Sequence, residues 1–427
     1  MATSIQGGFC VAADAKGALI VSLCFAFGRV SLSALGIVSL FAAHALAAPD
    51  TLVICPAEFR AALAPWETHR RSQGHVLEVV DPPATAAELH TAIRRAAGGG
   101  KLRFVVLVGD VQEVPTEYAE ANINCRWGSE PMIATDQLYA DVDGDTLPDV
   151  AVGRIPVDSI PELRGVVRKL LKYEQNSDQG AWRRQLDVVA GTGGFGTLTD
   201  ALIEAAGRSV FQQVVPADYQ VRRLPADPDA TCEQISAGSF AWIYLGHGLP
   251  SMLDVANTPR GVRPILAVGD VPRLRCGANG PLAVLIACYT GAIDARRDCL
   301  AEEMALNRQG PVAVIAATRV TMPYGNAVLG CELLRATFAD PPATLGEVWT
   351  RAQRKTLAAA PANDSLRMSL DGLARGVSPP PVDLAGERRE HVLMYQLLGD
   401  PLLRLDYPQV SPPASPRIAT LPETGPN

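Results

Sequence analysis

Basic residues are outnumbered in this chain: 38 Lys and Arg face 45 Asp and Glu across 427 residues, giving a net charge of −7. The chain therefore lacks the clustered Lys and Arg surface that a nucleic-acid partner requires. Histidine is also scarce, with six copies, and no two of the nine cysteines stand in a C-x-x-C pair. Scattered histidines and unpaired cysteines argue against a zinc site. The 37 Gly and 33 Pro imply many turns, but they follow no collagen-like or low-complexity period. What is present is apolar: 48% of residues are hydrophobic and 19% charged, enough for a large core in one α/β unit or two.

The N-terminus is a targeting candidate. Residues 18–47 are almost wholly apolar, Arg29 precedes the run Val30–Ala43, and Ala45-Leu46-Ala47 forms an A-x-A-like cleavage site. Residues 1–47 therefore read as a signal peptide. The alternative is an uncleaved anchor, because residues 18–43 are long enough to cross a bilayer. Either way the body is expected to be exported, with membrane contact only through this segment. Cys10 and Cys24 fall within it, which leaves Cys55, Cys125, Cys232, Cys276, Cys288, Cys299 and Cys331. An odd count leaves at least one free thiol in an exported chain, and Cys288 is the candidate. Most of the others can also be small buried hydrophobes.

After the targeting segment, strand and helix patterns alternate. Strands are expected at Thr51–Ile54, Val76–Val80, Phe104–Val108 and Asp149–Val152. Helices are expected from Pro56 to about Arg71, over Thr85–Ala97 and over Ile160–Gln175. The polar stretch Asn176–Ala181 separates an N-terminal α/β subdomain (49–178) from a second series (181–407). That series has strands at Leu186–Ala190, Tyr219–Leu224, Phe240–Leu245, Leu282–Ala287 and Val312–Ala317. Its helices are expected near Thr199–Gln212, Cys299–Gln309 and Leu345–Ala359. Repeated β-α alternation predicts a parallel sheet with helices on both faces. Residues 408–427 are Pro-rich and aperiodic, and are expected to be disordered. They contain Leu421-Pro-Glu-Thr-Gly425, a sortase-like pentapeptide without the apolar segment a sorting signal needs.

Five aspartates (Asp136, Asp141, Asp143, Asp145 and Asp149) crowd the segment 136–149. Asp at i, i+2 and i+4 can wrap a hard cation with oxygens, so a structural Ca²⁺ is expected. The loop is not an EF-hand, since Thr146 replaces the turn glycine and Val152 the final carboxylate. A solvated Asx-type turn is the alternative. No organic cofactor is expected.

The strongest chemical signal is two apolar runs that each deliver a reactive side chain. Phe240-Ala-Trp-Ile-Tyr-Leu-Gly ends in His247-Gly248, and Leu282-Ala-Val-Leu-Ile-Ala ends in Cys288. In an open α/β sheet, functional groups collect at the carboxyl ends of strands. A cysteine nucleophile needs a base, which His247 can supply. The N–H groups of Gly248 and Cys288 can hold an oxyanion.

Together with these residues, the chain resembles the gingipain-type cysteine peptidases, relatives of caspases and legumains. The likeness extends to Phe104–Asp110 with Val114-Pro115, and to the Asp141–Asp149 turn running into Ala151–Pro156 and Lys169–Glu174. It also covers Leu300-Ala-Glu-Glu303, Gly310–Val314 and Leu398-Gly-Asp-Pro401. It implies a caspase-like fold with two α/β subdomains, endopeptidase activity on protein or peptide substrates, His247 as the catalytic histidine and Cys288 as the nucleophile. Asp200, beside Thr199, either binds a basic side chain, orients His247, or serves as a helix N-terminal charge. Asp254 is a further candidate for specificity or for orienting the histidine. A non-catalytic exported binding protein on a peptidase fold is the competing reading.

Overall fold

The computed structural model describes residues 48–191, 193, 197–338, 344–378 and 380–405. The expected signal segment 1–47 and the Pro-rich tail, with its Leu421–Gly425 pentapeptide, lie outside the described residues. Among the described residues no helix is long and apolar enough to cross a membrane.

The first α/β series runs β1 (Thr51–Ile54), α1 (Arg60–Ser72), β2 (Leu77–Val80), α2 (Ala86–Ala97), β3 (Phe104–Val108), a hairpin of β4 (Glu117–Glu120) and β5 (Met132–Thr135), β6 (Ala151–Ile155) and α3 (Ile160–Glu174). The second begins with β7 (Gln185–Ala190), α4 (Thr197–Val214), β8 (Gln220–Leu224), α5 (Thr231–Ser236) and β9 (Ala241–Leu245). Two small hairpins follow, β10 (Gly248–Leu249) with β11 (Met252–Leu253) and β12 (Val255–Thr258) with β13 (Gly261–Pro264). Next come β14 (Leu282–Ile286), α6 (Leu300–Leu306), β15 (Ala313–Ala317), α7 (Pro323–Phe338), α8 (Leu345–Leu357), α9 (Ser365–Val377), α10 (Leu384–Met394) and β16 (Tyr395–Leu398).

Ten strands form one sheet in the order β2-β1-β3-β6-β16-β15-β14-β9-β7-β8. Neighbours are parallel except β15 and β16, which pair antiparallel. The last described strand, β16, therefore joins the two series edge to edge, pairing parallel with β6 and antiparallel with β15. Strands β1, β3, β6, β14, β15 and β16 are buried along their whole length. Continuous apolar runs fit this position, because helices cover both faces. The period of two is visible in the packing. Val53, Val106, Val284 and Ile286 face one core with Leu63, Trp66, Leu163 and Trp349. Leu52, Ile54, Val105 and Leu107 face the opposite side with Leu89 and Ile93, as Ala283 and Leu285 do with Leu300 and Met304.

The caps follow the sequence. Thr85 accepts the Glu88 N–H at 3.2 Å to start α2, and Ser159 opens α3 with Pro161 in its first turn. Three elements have an end displaced by three residues or more from expectation. The helix after β1 starts at Arg60, because Pro56–Phe59 form a turn closed by Phe59 N–H to the Pro56 carbonyl. The strand expected at 149–152 is Ala151–Ile155, because Asp149 belongs to the acidic turn and accepts the Val142 N–H at 3.1 Å. The helix expected to reach Gln309 stops at Leu306, where Asn307 to Gly310 make a tight turn.

Candidate active site

Strands β9 and β14 are adjacent and in register from Ala241↔Leu282 to Leu245↔Ile286, so His247 and Cys288 leave the same edge of the sheet. The Gly246 N–H extends the ladder by donating to the Ile286 carbonyl at 3.2 Å. Gly248 is demanded by proximity. A Cβ there would stand 2.6 Å from Thr290 Cγ2 and 2.8 Å from the Cys288 carbonyl oxygen. The glycine thus lets the histidine loop lie directly on the backbone of Cys288.

The His247 turn is braced from below. The buried Tyr244 hydroxyl donates to the His247 carbonyl at 3.0 Å and accepts the Asp254 N–H at 3.3 Å. Burial raises the Tyr244 pKa, which keeps that hydroxyl protonated. Asp254 N–H also reaches the His247 carbonyl at 3.1 Å. That bond makes Gly248 and Leu253 a non-hydrogen-bonded pair of their hairpin, so the Gly248 N–H points away from the partner strand. The exposed imidazole of His247 lies with Nε2 3.2 Å from the Gly193 carbonyl.

Cys288 is half-buried, and its Sγ accepts the Thr321 N–H at 3.3 Å. The chain turns sharply after it: Tyr289 has φ 58°, a left-handed conformation that is strained for a bulky side chain. Tyr289 is held there by its N–H to the Arg319 carbonyl (3.2 Å) and its hydroxyl to Glu130 (2.8 Å). Arg319 is itself clamped by both oxygens of Asp294, at 2.8 and 2.6 Å. All seven described cysteines are free thiols. Burial pushes Cys55 and Cys276 up to about 12 and Cys331 to about 11, and raises Cys232 and Cys299 as well. Those five are buried core thiols, unlike the solvent-accessible Cys288.

A strand-end cysteine beside a strand-end histidine, on a sheet of this order, coincides with a family match along residues 44–406 to the model of peptidase family C25. The chain belongs to peptidase family C25. Lys-gingipain of Porphyromonas gingivalis is 23% identical over 280 residues, covering 62% of this chain and 15% of that protein. The chain thus matches only a small part of the length of that relative. Among solved structures, the Arg-specific cysteine proteinase gingipain R superposes with a TM-score of 0.61 and 18% identity, over 84% of this chain and 79% of that one. The complex of Porphyromonas gingivalis RgpB pro- and mature domains gives a TM-score of 0.62, 18% identity, and coverage of 84% and 80%. These structural likenesses establish the gingipain, caspase-like fold.

The remaining candidates in this C25 chain separate into groups. Asp254 lies close to the histidine turn, where its backbone braces His247 and its carboxylate accepts its own neighbour's N–H, from Val255, at 2.8 Å. Asp200 lies in α4, with its side chain outside the described residues. Asp141, Asp143 and Asp149 bring carboxylate oxygens within 4.8 Å of one another. Asp145 is not in that trio; it accepts the Leu147 N–H at 2.8 Å. Asp136 must be removed from the expected ligand set. It is buried in a two-bond ion pair with Arg154 (2.7 and 2.8 Å), and it also accepts the Thr116 hydroxyl at 2.8 Å. An arginine fully buried beside β3 needs that charge, so Asp136 serves the fold. The acidic turn itself is strained at Thr146, φ 72°, where a glycine would be unstrained.

Sequence reasoning missed the residues that brace His247 and Cys288 from a distance. Thr321, Arg319 and Asp294 sit in turns without periodic signal, and Tyr244 reads simply as part of an apolar run. It also missed a second acidic trio, Asp110, Glu113 and Asp158, whose carboxylates converge within 4.8 Å. Desolvation raises the pKa values of Glu113 and Asp158, with repulsion from Asp110 adding to both.

Proposed function

We propose that this protein is an exported cysteine endopeptidase that hydrolyses peptide bonds with a Cys288–His247 dyad through a thioester acyl-enzyme. The observation that carries the reading is the pairing of β9 with β14, which delivers both side chains to one sheet edge with Gly248 packed on the Cys288 carbonyl. Export rests on the apolar 18–47 segment and its Ala45-Leu46-Ala47 site.

In the proposed reaction, His247 takes the Cys288 thiol proton and the thiolate attacks the scissile carbonyl carbon. The developing oxyanion is met by the N–H groups of Gly248 and Cys288. The C–N bond then breaks as His247 gives its proton to the leaving amine, leaving a thioester on Cys288. His247 next removes a proton from water, which attacks the thioester and releases the acid, returning the thiol. Asp141, Asp143 and Asp149 offer the hard oxygen donors that Ca²⁺ prefers, and an ion there would neutralise their mutual repulsion and stiffen the turn before β6.

The test is cleavage of a casein-derived peptide library by mature wild-type protein and by Cys288→Ala. The variant is expected to fold and to lose turnover. Cleavage by Cys288→Ala at the wild-type rate would refute the assignment.

A further inference from the structure

The far side of the nucleophile is built from the turn that follows β15. Thr321 contacts the Cys288 sulfur with three atoms: its N–H at 3.3 Å, its hydroxyl oxygen at 3.6 Å and its carbonyl at 3.8 Å. Behind it, Asn326 Nδ2 donates to Thr321 Oγ1 at 2.9 Å, and the Tyr395 hydroxyl donates to Asn326 Oδ1 at 2.8 Å. Tyr395 is fully buried at the start of β16 and Thr321 is 6% exposed. The turn is pinned on both sides of Thr321. Asn124 Nδ2 holds the Val320 carbonyl at 2.6 Å, and the Met322 N–H donates to His391 Nε2 at 2.9 Å.

Proton counting gives this chain a direction. An amide nitrogen only donates, so Thr321 Oγ1 accepts from Asn326 and its own proton remains to be placed. Its neighbouring acceptors are the Cys288 sulfur at 3.6 Å and the Tyr395 hydroxyl oxygen, which also engages the Thr321 side chain; a sulfur that turns anionic is the stronger of the two. Two donors, one backbone N–H and one hydroxyl, then converge on Sγ, and donors favour the charged form of the group they face. The Thr321 carbonyl, which would favour the S–H form, stands farther away.

We propose that Thr321 is a positioning residue for the nucleophile, with its hydroxyl turned onto the Cys288 sulfur by the Asn326–Tyr395 chain so that the thiolate is stabilised from the side opposite His247. This rests on Cys288 being the nucleophile. Among the groups around the sulfur, His391 on α10 is buried and pushed down to about 4, and Tyr395 on β16 is raised well above its ordinary value. Both stay neutral across the assay range of roughly pH 5–9. Arg319 and Asp294 in the flanking turns form a closed ion pair there, and Tyr289 is pushed up to about 12. His247 lies on the β9 side, so each variant is measured with and without His247→Ala.

The experiment measures the iodoacetamide alkylation rate of Cys288 against pH on the full chain, read by mass spectrometry of the Cys288 peptide. Thr321→Val should slow alkylation roughly tenfold at the acidic end of the profile. Thr321→Ser should stay within about twofold of wild type, and Tyr395→Phe should shift in the same direction as Thr321→Val by less. Peptidase kcat/KM should fall with the thiolate fraction while KM stays constant. A wild-type profile in Thr321→Val overturns the proposal; if that variant does not fold, a wild-type profile in Tyr395→Phe overturns it instead. Failure of the nucleophile assignment would appear separately, as cleavage by Cys288→Ala.

Discussion

Cys55 and Cys288 begin alike and end differently. Each comes at the end of a fully buried, largely apolar strand, Cys55 directly after β1 and Cys288 after the one residue that follows β14. Cys55 is fully buried, its thiol points at the Pro56 carbonyl 3.5 Å away, and burial pushes it up to about 12. Cys288 is half-exposed and its sulfur receives an N–H. The difference lies in the neighbouring strands. Beside β1, strand β2 runs into Asp81, a carboxylate that opposes a thiolate at Cys55. Beside β14, strand β9 brings Gly-His-Gly and β15 brings the Thr321 turn. A strand-end cysteine becomes reactive through its neighbours in the sheet, and sequence spacing alone does not choose them.

The largest expected effect comes from removing the neighbour that Cys55 lacks. His247→Ala should lower kcat for peptide cleavage by about 10²–10⁴-fold with an unchanged thermal midpoint, measured by steady-state kinetics alongside calorimetry. Retained kcat would make the dyad no different from the Cys55 site. Gly248→Ala comes next. Its Cβ must displace the Cys288 carbonyl, 2.8 Å away, so kcat should drop about tenfold or more with only a small change in KM. In the other half of the sheet, Cys55→Ala should leave kcat unchanged and cost about 1 kcal/mol in urea unfolding. A drop in kcat there would erase the contrast.

The desolvation that silences Cys55 also acts on a carboxyl in the catalytic half. Glu302, 3% exposed in α6 and facing Asp110, Asp298 and Cys299, is pushed up to about 9, and Asp298 to about 6. Both hold a proton in the folded chain where the unfolded chain has released it. Folding therefore takes up protons from the ordinary glutamate value of 4.5 up to about 9, and stability falls as pH rises through that window. Urea titrations at several pH values should show this slope, and Glu302→Gln should flatten its upper part; an unchanged slope in the variant would contradict the assignment. The smallest effect is expected at the acidic turn, where added Ca²⁺ should raise the melting temperature by a few degrees in wild type and not in Asp141→Asn with Asp143→Asn.

Most of the sheet was legible in the sequence because its central strands are uninterrupted apolar runs with turn residues at their ends. Phe104–Val108 and Leu282–Ile286 needed no more than that. Strand β16 was not legible. Tyr395-Gln-Leu-Leu follows α10 without a break, and its four residues carry no alternation because both faces are buried. Helix α7 was hidden for a related reason, since Tyr324, Val328, Cys331, Glu332 and Leu333 are buried around much of its circumference and no polar face marks it. At the site, His247, Gly248 and Cys288 stood out because each is an abrupt chemical change at a strand end. Thr321 did not, since its part depends on a turn held by Asn124 and His391 from distant segments. Asp136 misled for the converse reason: proximity in sequence to the acidic turn hid its pairing with Arg154.

The identity of the reactive thiol is decisive. Mature protein treated with a peptidyl acyloxymethyl ketone should carry one adduct, on the peptide containing Cys288, and its peptidase activity should vanish in step with labelling. An adduct on Cys55 or another thiol, or full labelling of Cys288 with peptide cleavage intact, would contradict it.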